Sequence, residues 1–182
     1  MSTVPVESRG STLIAIARSA IMAATPPRPA NWGDAWLREP GASFVTIKLD
    51  GELRGCIGTI EPHRGLGDDV AHNAYAAAYR DPRFDPVDAR ERARLQVEVS
   101  VLSPREPLAA TSEREALAAL RPGVDGLVLQ YGGLGATFLP QVWESLPQPA
   151  EFLDHLRRKA GLPAGFWHPD LKLSRYTVDK YA

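Results

Sequence analysis

Apolar positions along this chain follow two rhythms, one helical and one alternating, and glycine and proline punctuate the changes between them. Leu13, Ile14, Ala17 and Ile21 recur at helical spacing between Thr12, a capping type, and Pro26-Pro27. That pattern predicts a helix over 12–24. Residues 25–42 are rich in proline and glycine and read as an ordered loop laid over the core, with Trp32 and Trp36 to bury. The runs 44–49 and 52–60 flank Asp50-Gly51, the pair that suits a type I′ turn, and predict a hairpin. Val70, Ala74, Ala77 and Ala78 define the inward stripe of a helix over 66–80, ended by Asp81-Pro82. Leu95, Val97, Val99 and Val101 alternate with Gln96, Glu98 and Ser100, as on a half-buried strand.

The second half continues in the same way. Ser112 and Glu115 form a capping box for a helix to about Arg121, closed by Pro122-Gly123. Leu127 to Tyr131 and Ala136 to Leu139 flank Gly132-Gly133 as a second hairpin. Pro149 and Gly161 bracket a helix with Phe152, Leu153 and Leu156 inward. A last strand is expected from Leu171 to Val178, and Phe166-Trp167 should dock the C-terminal segment on the core. Hairpins with helices inserted between them argue for an α+β fold with a mainly antiparallel sheet and flanking helices. At 182 residues, roughly 70% of the extended-chain surface can be buried, so the core stands without staples. One domain spanning 1–182 is expected, with room for a large and a small lobe.

Charge and cysteine content narrow the function classes. With 21 Lys+Arg against 22 Asp+Glu and no long run of like charge, the chain lacks the overall basic balance that drives nucleic-acid binding. A single cysteine excludes an internal disulfide framework and the cysteine clusters of iron-sulfur or structural zinc sites. The apolar run 13–17 is interrupted by Arg18 and too short to span a bilayer. A soluble protein of a reducing cytoplasm, without membrane association, is the expectation. His63, His72, His155 and His168 show no paired ligand spacing, so no metal site is expected. No cofactor is specified. His72, with Tyr75 and Tyr79 at helical spacing, reads as ordinary packing.

Candidate chemistry concentrates in Leu53-Arg54-Gly55-Cys56-Ile57-Gly58-Thr59, which joins the lone thiol to a fixed cation and permissive backbone. On a regular strand Arg54 and Cys56 point the same way, with Cα atoms about 6.6 Å apart. With a strict two-residue turn, Arg54 faces Ile47 and Cys56 faces Val45; a bulge would change this. Two readings of Cys56 stand: a small buried packing residue, or a thiol that meets a ligand, favoured by a nearby cation. Arg54 either pairs with a carboxylate such as Glu98 or binds an anion. Glu98, opposite in face to Val97 and Val99, is either solvent-facing or that partner of Arg54. Gly55 and Gly58 mark a bulge or allow a ligand close to the backbone. Thr59, Glu61 and His63 lie where the strand leaves the sheet, and His63 is either a base for Cys56 or a solvated loop residue. The candidate catalytic set is thus Cys56, Arg54 and Glu98, and the candidate binding set Gly55, Gly58, Thr59 and His63.

The hexapeptide Leu-Arg-Gly-Cys-Ile-Gly resembles the signature of the AMMECR-type family, whose prokaryotic members are called AmmeMemoRadiSam system protein A. Asp81-Pro82-Arg83-Phe84, residues 97–103, Phe138-Leu139-Pro140-Gln141-Val142, Phe152-Leu153 and Lys159-Ala160-Gly161-Leu162 are similar to further stretches of that family, so the likeness covers about residues 10 to 180. The resemblance implies an α+β fold and, by the family's name, the company of a radical SAM protein and a Memo-like protein. It implies no settled reaction. Three function classes follow: a small-molecule-binding or cysteine-dependent component acting with such partners, a non-catalytic adaptor for a protein, and a nucleic-acid-associated regulator.

Overall fold

Asp50 and Gly51 both take left-handed backbone, at φ 53° and 87°, and close the hairpin of β1 (Ala42–Leu49) and β2 (Glu52–Gly58) as the Asp-Gly pair predicts. The structure, a computed structural model, describes residues 6–182, with side chains from Ser8 onward. The chain forms two units. The first runs to Leu102 and regains Asp179–Ala182; the second is Ser103–Val178. The class is α+β, as expected, but the described residues build two four-stranded sheets rather than one.

In the first unit the strand order is β2-β1-β3-β8, with β3 at Gln96–Leu102 and β8 at Val178–Tyr181. Two helices, α1 (Val6–Ala23) and α3 (Leu66–Tyr79), pack on one face of this sheet. Their inward residues Leu13, Ala17, Val70 and Ala74 meet Val45, Ile47 and Val99, all fully buried. Each of the leucine, valine and isoleucine side chains among them contributes about 1.5–3 kcal/mol when removed from water. The 25–42 loop carries a short helix, α2 (Ala35–Arg38), and places Trp32 and Trp36 against this core. Helix α1 begins six residues before the start predicted at Thr12. The early turns include Gly10, where a Cβ would lie 2.7 Å from the Tyr181 ring, so the helix trades glycine's poor propensity for close packing.

In the second unit β4 (Glu106–Pro107), β7 (Lys172–Tyr176), β5 (Gly126–Tyr131) and β6 (Leu134–Phe138) follow one another across the sheet. Helices α4 (Glu113–Ala119) and α5 (Pro149–Lys159) complete it. Ser112 caps α4 by accepting from Glu115 N, while the Glu115 carboxylate reaches back to Thr111 N. The Trp143 and Phe152 rings stack at 3.8 Å, and Phe166 meets Tyr131 at 4.9 Å. The single last strand expected over 171–178 is instead two strands, β7 and β8, which belong to different sheets.

The hairpin departs from a strict register. Lys48 pairs with Leu53 but Ile47 pairs with Gly55, so Arg54 is an extra residue in β2. In the strict register Arg54 would lie opposite Ile47, on the face that α3 covers, and bury a charge there. The bulge puts Gly55 in that place instead. A Cβ on Gly55 would come within 2.1 Å of the Ala77 carbonyl oxygen, so the helix backbone lies directly on the strand. Gly55→Ala is expected to cost about 2–3 kcal/mol by overpacking, lowering Tm by about 4–12 °C. Gly33→Ala, which meets open space, should change stability by less than about 0.5 kcal/mol. Equal thermal melts for the two variants would contradict this account of Gly55.

Candidate functional site

Beyond the bulge every side chain of β2 is displaced by one position relative to the strict hairpin. Cys56 lies opposite Thr46, not Val45. Thr46 in turn lies opposite Glu98 on β3. Directly opposed residues share a face, so Cys56, Thr46 and Glu98 form a row across three strands, on the face turned away from α1 and α3. The Thr46 hydroxyl donates to Cys56 Sγ at 3.3 Å. Glu98 accepts from Lys48 Nζ at 2.7 Å and from Lys180 Nζ of β8 at 2.8 Å. Burial is the largest single influence on the Glu98 carboxyl and opposes its ionisation. The hydrogen bonds and charges of Lys180 and Lys48 together outweigh it and hold the group below its ordinary value.

The backbone of Cys56 is clamped from the other side. Strand β2 is an edge, and edge strands leave N–H and C=O groups pointing outward. Cys56 N–H donates to Asp81 Oδ2 at 2.9 Å, and the Cys56 carbonyl accepts from Arg83 Nη2 at 3.2 Å. Arg83 also forks onto Asp81, with Nε to Oδ1 at 2.9 Å and Nη2 to Oδ2 at 2.7 Å. Asp81 is 4% exposed. Hydrogen bonds from Arg83 above all, and from the Cys56 and Arg83 amides, outweigh its burial and hold its carboxyl well below the usual carboxylate range. The Asp-Pro-Arg that ends α3 thus substitutes for a neighbouring strand.

The candidates named from sequence separate. Cys56 and Glu98 share the row described above. Arg54 does not join them: its guanidinium forks onto Glu91 at 2.9 and 3.0 Å and donates to the Asp85 carbonyl at 2.8 Å. The Arg54–Glu98 pair considered from sequence is replaced by Arg54–Glu91, and the lysines take Glu98. His63 is exposed; its ring contacts the Glu61 carbonyl and Arg64, and Cys56 is not among its partners. Thr59 N–H donates to the Ser43 carbonyl, and its hydroxyl joins Asn73 in a polar network with Ser43 and Asp69. Gly58 lies under the Phe44 ring, where a Cβ would approach to 2.2 Å. Both motif glycines are therefore occupied by the protein's own groups rather than open to a ligand.

Thr46, Lys48, Lys180, Asp81 and Arg83 were not among the candidates. Thr46 and Lys48 lie on alternate positions of β1, a hint that they share a face, and Asp81-Pro82-Arg83 marks a helix end. Neither signal says what the side chains reach across the sheet. Among the described residues no three or more His, Cys, Asp or Glu are grouped to hold a metal ion. No helix among them is long and apolar enough to cross a membrane.

These features define an α+β protein of two antiparallel sheets with a backbone-clamped cysteine on an edge strand. The chain belongs to the AMMECR1 family, whose model matches residues 14–181. It is 39% identical over 178 residues to a protein of Methanothermobacter thermautotrophicus, covering 92% of this chain and 90% of that one. A protein of Thermotoga maritima is 40% identical over 146 residues, covering 79% of this chain and 78% of the relative. The crystal structure of the uncharacterized protein PH0010 from Pyrococcus horikoshii superposes with a TM-score of 0.81 at 33% identity, covering 94% of this chain and 89% of that chain.

Asp81 supplies a pH-dependent prediction. Its folded value is depressed, so its contribution is complete above the unfolded value of about 4 and is lost as pH falls further. The stability advantage of the wild type over Asp81→Asn should therefore hold from pH 7 to about 5 and shrink from about pH 4 toward pH 2. Urea unfolding at each pH measures it, and a gap independent of pH would contradict the assignment. Asp81→Ala, which strands the Cys56 amide, should cost about 2 kcal/mol at neutral pH.

Proposed function

We propose that the row Cys56–Thr46–Glu98, flanked by Lys48 and Lys180, is a small-molecule site in which the Cys56 thiol meets an anionic ligand. The observation that carries this reading is the Thr46 hydroxyl 3.3 Å from Sγ, in line with a carboxylate that holds two ammonium groups. Cys56 is half-buried rather than sealed in the core. Glu98 carries one negative charge against two lysines, leaving positive charge over for an anion. Glu98 fixes the lysines, Thr46 orients the thiol by hydrogen bonding, and the Asp81–Arg83 clamp removes backbone freedom beneath it. A radical SAM protein and a Memo-like protein are the partner classes proposed, on the strength of the family resemblance.

A second reading, a non-catalytic adaptor surface, is favoured by how fully the hexapeptide serves packing: Arg54, Gly55 and Gly58 all hold the edge of the sheet. The two readings differ in what they ask of the sulfur. Because the chain has one cysteine, alkylation reports on Cys56 alone. The site predicts that iodoacetate gains on iodoacetamide in the folded protein by about threefold or more relative to the urea-unfolded chain. Lys48→Gln or Lys180→Gln should reduce that preference. A thiol that neither reagent reaches in the folded state, while the unfolded chain reacts, overturns the small-molecule reading and leaves the adaptor.

A further inference from the structure

His63 follows the exit of β2, and its exposed ring is bound into a short chain of polar contacts. Nδ1 lies 2.9 Å from the Glu61 carbonyl oxygen. A carbonyl has no proton to give, so Nδ1 carries the ring proton and donates it. Nε2 is then the bare nitrogen, and it accepts from Arg64 Nε at 3.2 Å and meets Arg64 Nη2 as well. Only the neutral ring can do this, because an imidazolium donates from both nitrogens and accepts at neither.

Arg64 has a second acceptor within reach. Asp69 is fully buried, and its Oδ2 takes Ser43 N–H at 2.9 Å, the Ser43 hydroxyl at 2.7 Å and Asn73 Nδ2 at 3.0 Å. Its Oδ1 has no hydrogen-bond partner and lies 3.6 Å from Arg64 Nε. Buried oxygens are seldom left so, and closing the gap by roughly 0.7 Å makes an ordinary charge-assisted bond. The Arg64 backbone is anchored, since its carbonyl takes Gly41 N–H at 3.2 Å, so the side chain alone has to move.

The other charged groups nearby come from three elements. Asp68 of α3 holds Trp32 and the Ala30 amide, and Arg38 at the end of α2 donates to the Trp32 and Gly33 carbonyls, with Glu39 exposed beside it. Arg28 of the proline-rich loop and His72 of α3 line a small pocket with Arg64. Burial first, and then the charge of Arg64, hold His72 below its ordinary value, so it takes its proton only at lower pH.

We propose that His63, Arg64 and Asp69 form a pH-sensitive switch, in which protonation of His63 expels the Arg64 guanidinium and the freed guanidinium bonds Asp69 Oδ1. Histidine is the side chain whose charge ordinarily changes between pH 5 and 8. The output is a tightening where β2 leaves the sheet. Asp69 holds Ser43, whose carbonyl takes Thr59 N–H at 2.8 Å just past Gly58, and Asn73 ties Asp69 to the Thr59 hydroxyl. A proton taken up at the surface thereby reaches the end of the strand that carries Cys56. The switch does not rest on the thiol reading and stands or falls without it.

Nuclear magnetic resonance of the whole protein, followed from pH 8 to pH 5 in the cold, tests the proposal. At the alkaline end the His63 ring should be the Nδ1–H tautomer. As the ring titrates, the Arg64 εN–H should gain about tenfold or more protection from solvent exchange, relative to free arginine at the same pH. In His63→Ala, a change at an exposed loop position, that protection should be present at every pH, with no step. His72→Gln should keep the step, which separates the two histidines. Asp69→Asn, where circular dichroism shows the fold kept, should lose the gain. The proposal is overturned by the Nε2–H tautomer at pH 8, by Arg64 protection that does not change through the His63 titration, or by a His63→Ala variant in which Arg64 stays unprotected or keeps the step.

Discussion

The position opposite Ile47 in β2 lies against the backbone of α3, where the Ala77 carbonyl leaves no room for a Cβ. Only glycine fits, and an arginine there would bring an uncompensated charge into the core. An ordinary two-residue turn would deliver Arg54 to that position. The chain inserts Arg54 as an extra residue, passes Gly55 under the helix, and from there on presents each side chain to the face opposite the one the strict register gives it. Ile57 thereby joins the core side with Val45, and Cys56 is turned to the other face beside Thr46. The placement of the thiol follows from a steric requirement one residue away.

The remaining residues of the hexapeptide are accounted for by the same local geometry. Arg54, displaced from the ladder, finds Glu91 and the Asp85 carbonyl. Gly58 accommodates the Phe44 ring. The outward N–H and C=O of Cys56, which the edge of a sheet would leave to water or to a foreign strand, are taken by Asp81 and Arg83. A buried carboxylate is costly unless its charge is matched and its oxygens are hydrogen-bonded, and both conditions are met here by residues two positions apart. Helix end, edge strand and thiol are therefore one assembly.

Local signals made much of the fold legible. The Asp50-Gly51 hairpin, the Ala-rich α3, the Gly132-Gly133 hairpin and α5 between Pro149 and Gly161 all follow from spacing and turn chemistry within a dozen residues. The start of α1 was hidden because Gly10, a poor helix former, packs against Tyr181, far along the chain. The last strand read as one element because nothing in 171–178 announces that it divides between two sheets. The candidate site was legible in part. Alternation alone placed Glu98 on the face opposite Val97 and Val99. Gly55 and Gly58 announced that a bulge was possible, but not that Arg54 would be the extra residue, since that answers to a helix that packs later in the sequence, and so the strict-register facing of Arg54 and Cys56 gave way. Lys48 and Lys180 reach Glu98 from 50 and 82 residues away, which no spacing rule encodes. The grouping of Asp81 and Arg83 with Cys56 is equally a product of tertiary register.

The register itself is open to direct observation. In a nuclear Overhauser experiment on the folded protein with labelled methyl groups, the account predicts cross-peaks between the Cys56 β-protons and the Thr46 methyl, because directly opposed side chains lie about 5 Å apart. It predicts none to the Val45 methyls. Cross-peaks from Cys56 to Val45 with none to Thr46 would show a strict hairpin without the bulge at Arg54, and would remove the basis for the thiol, hydroxyl and carboxylate standing in one row.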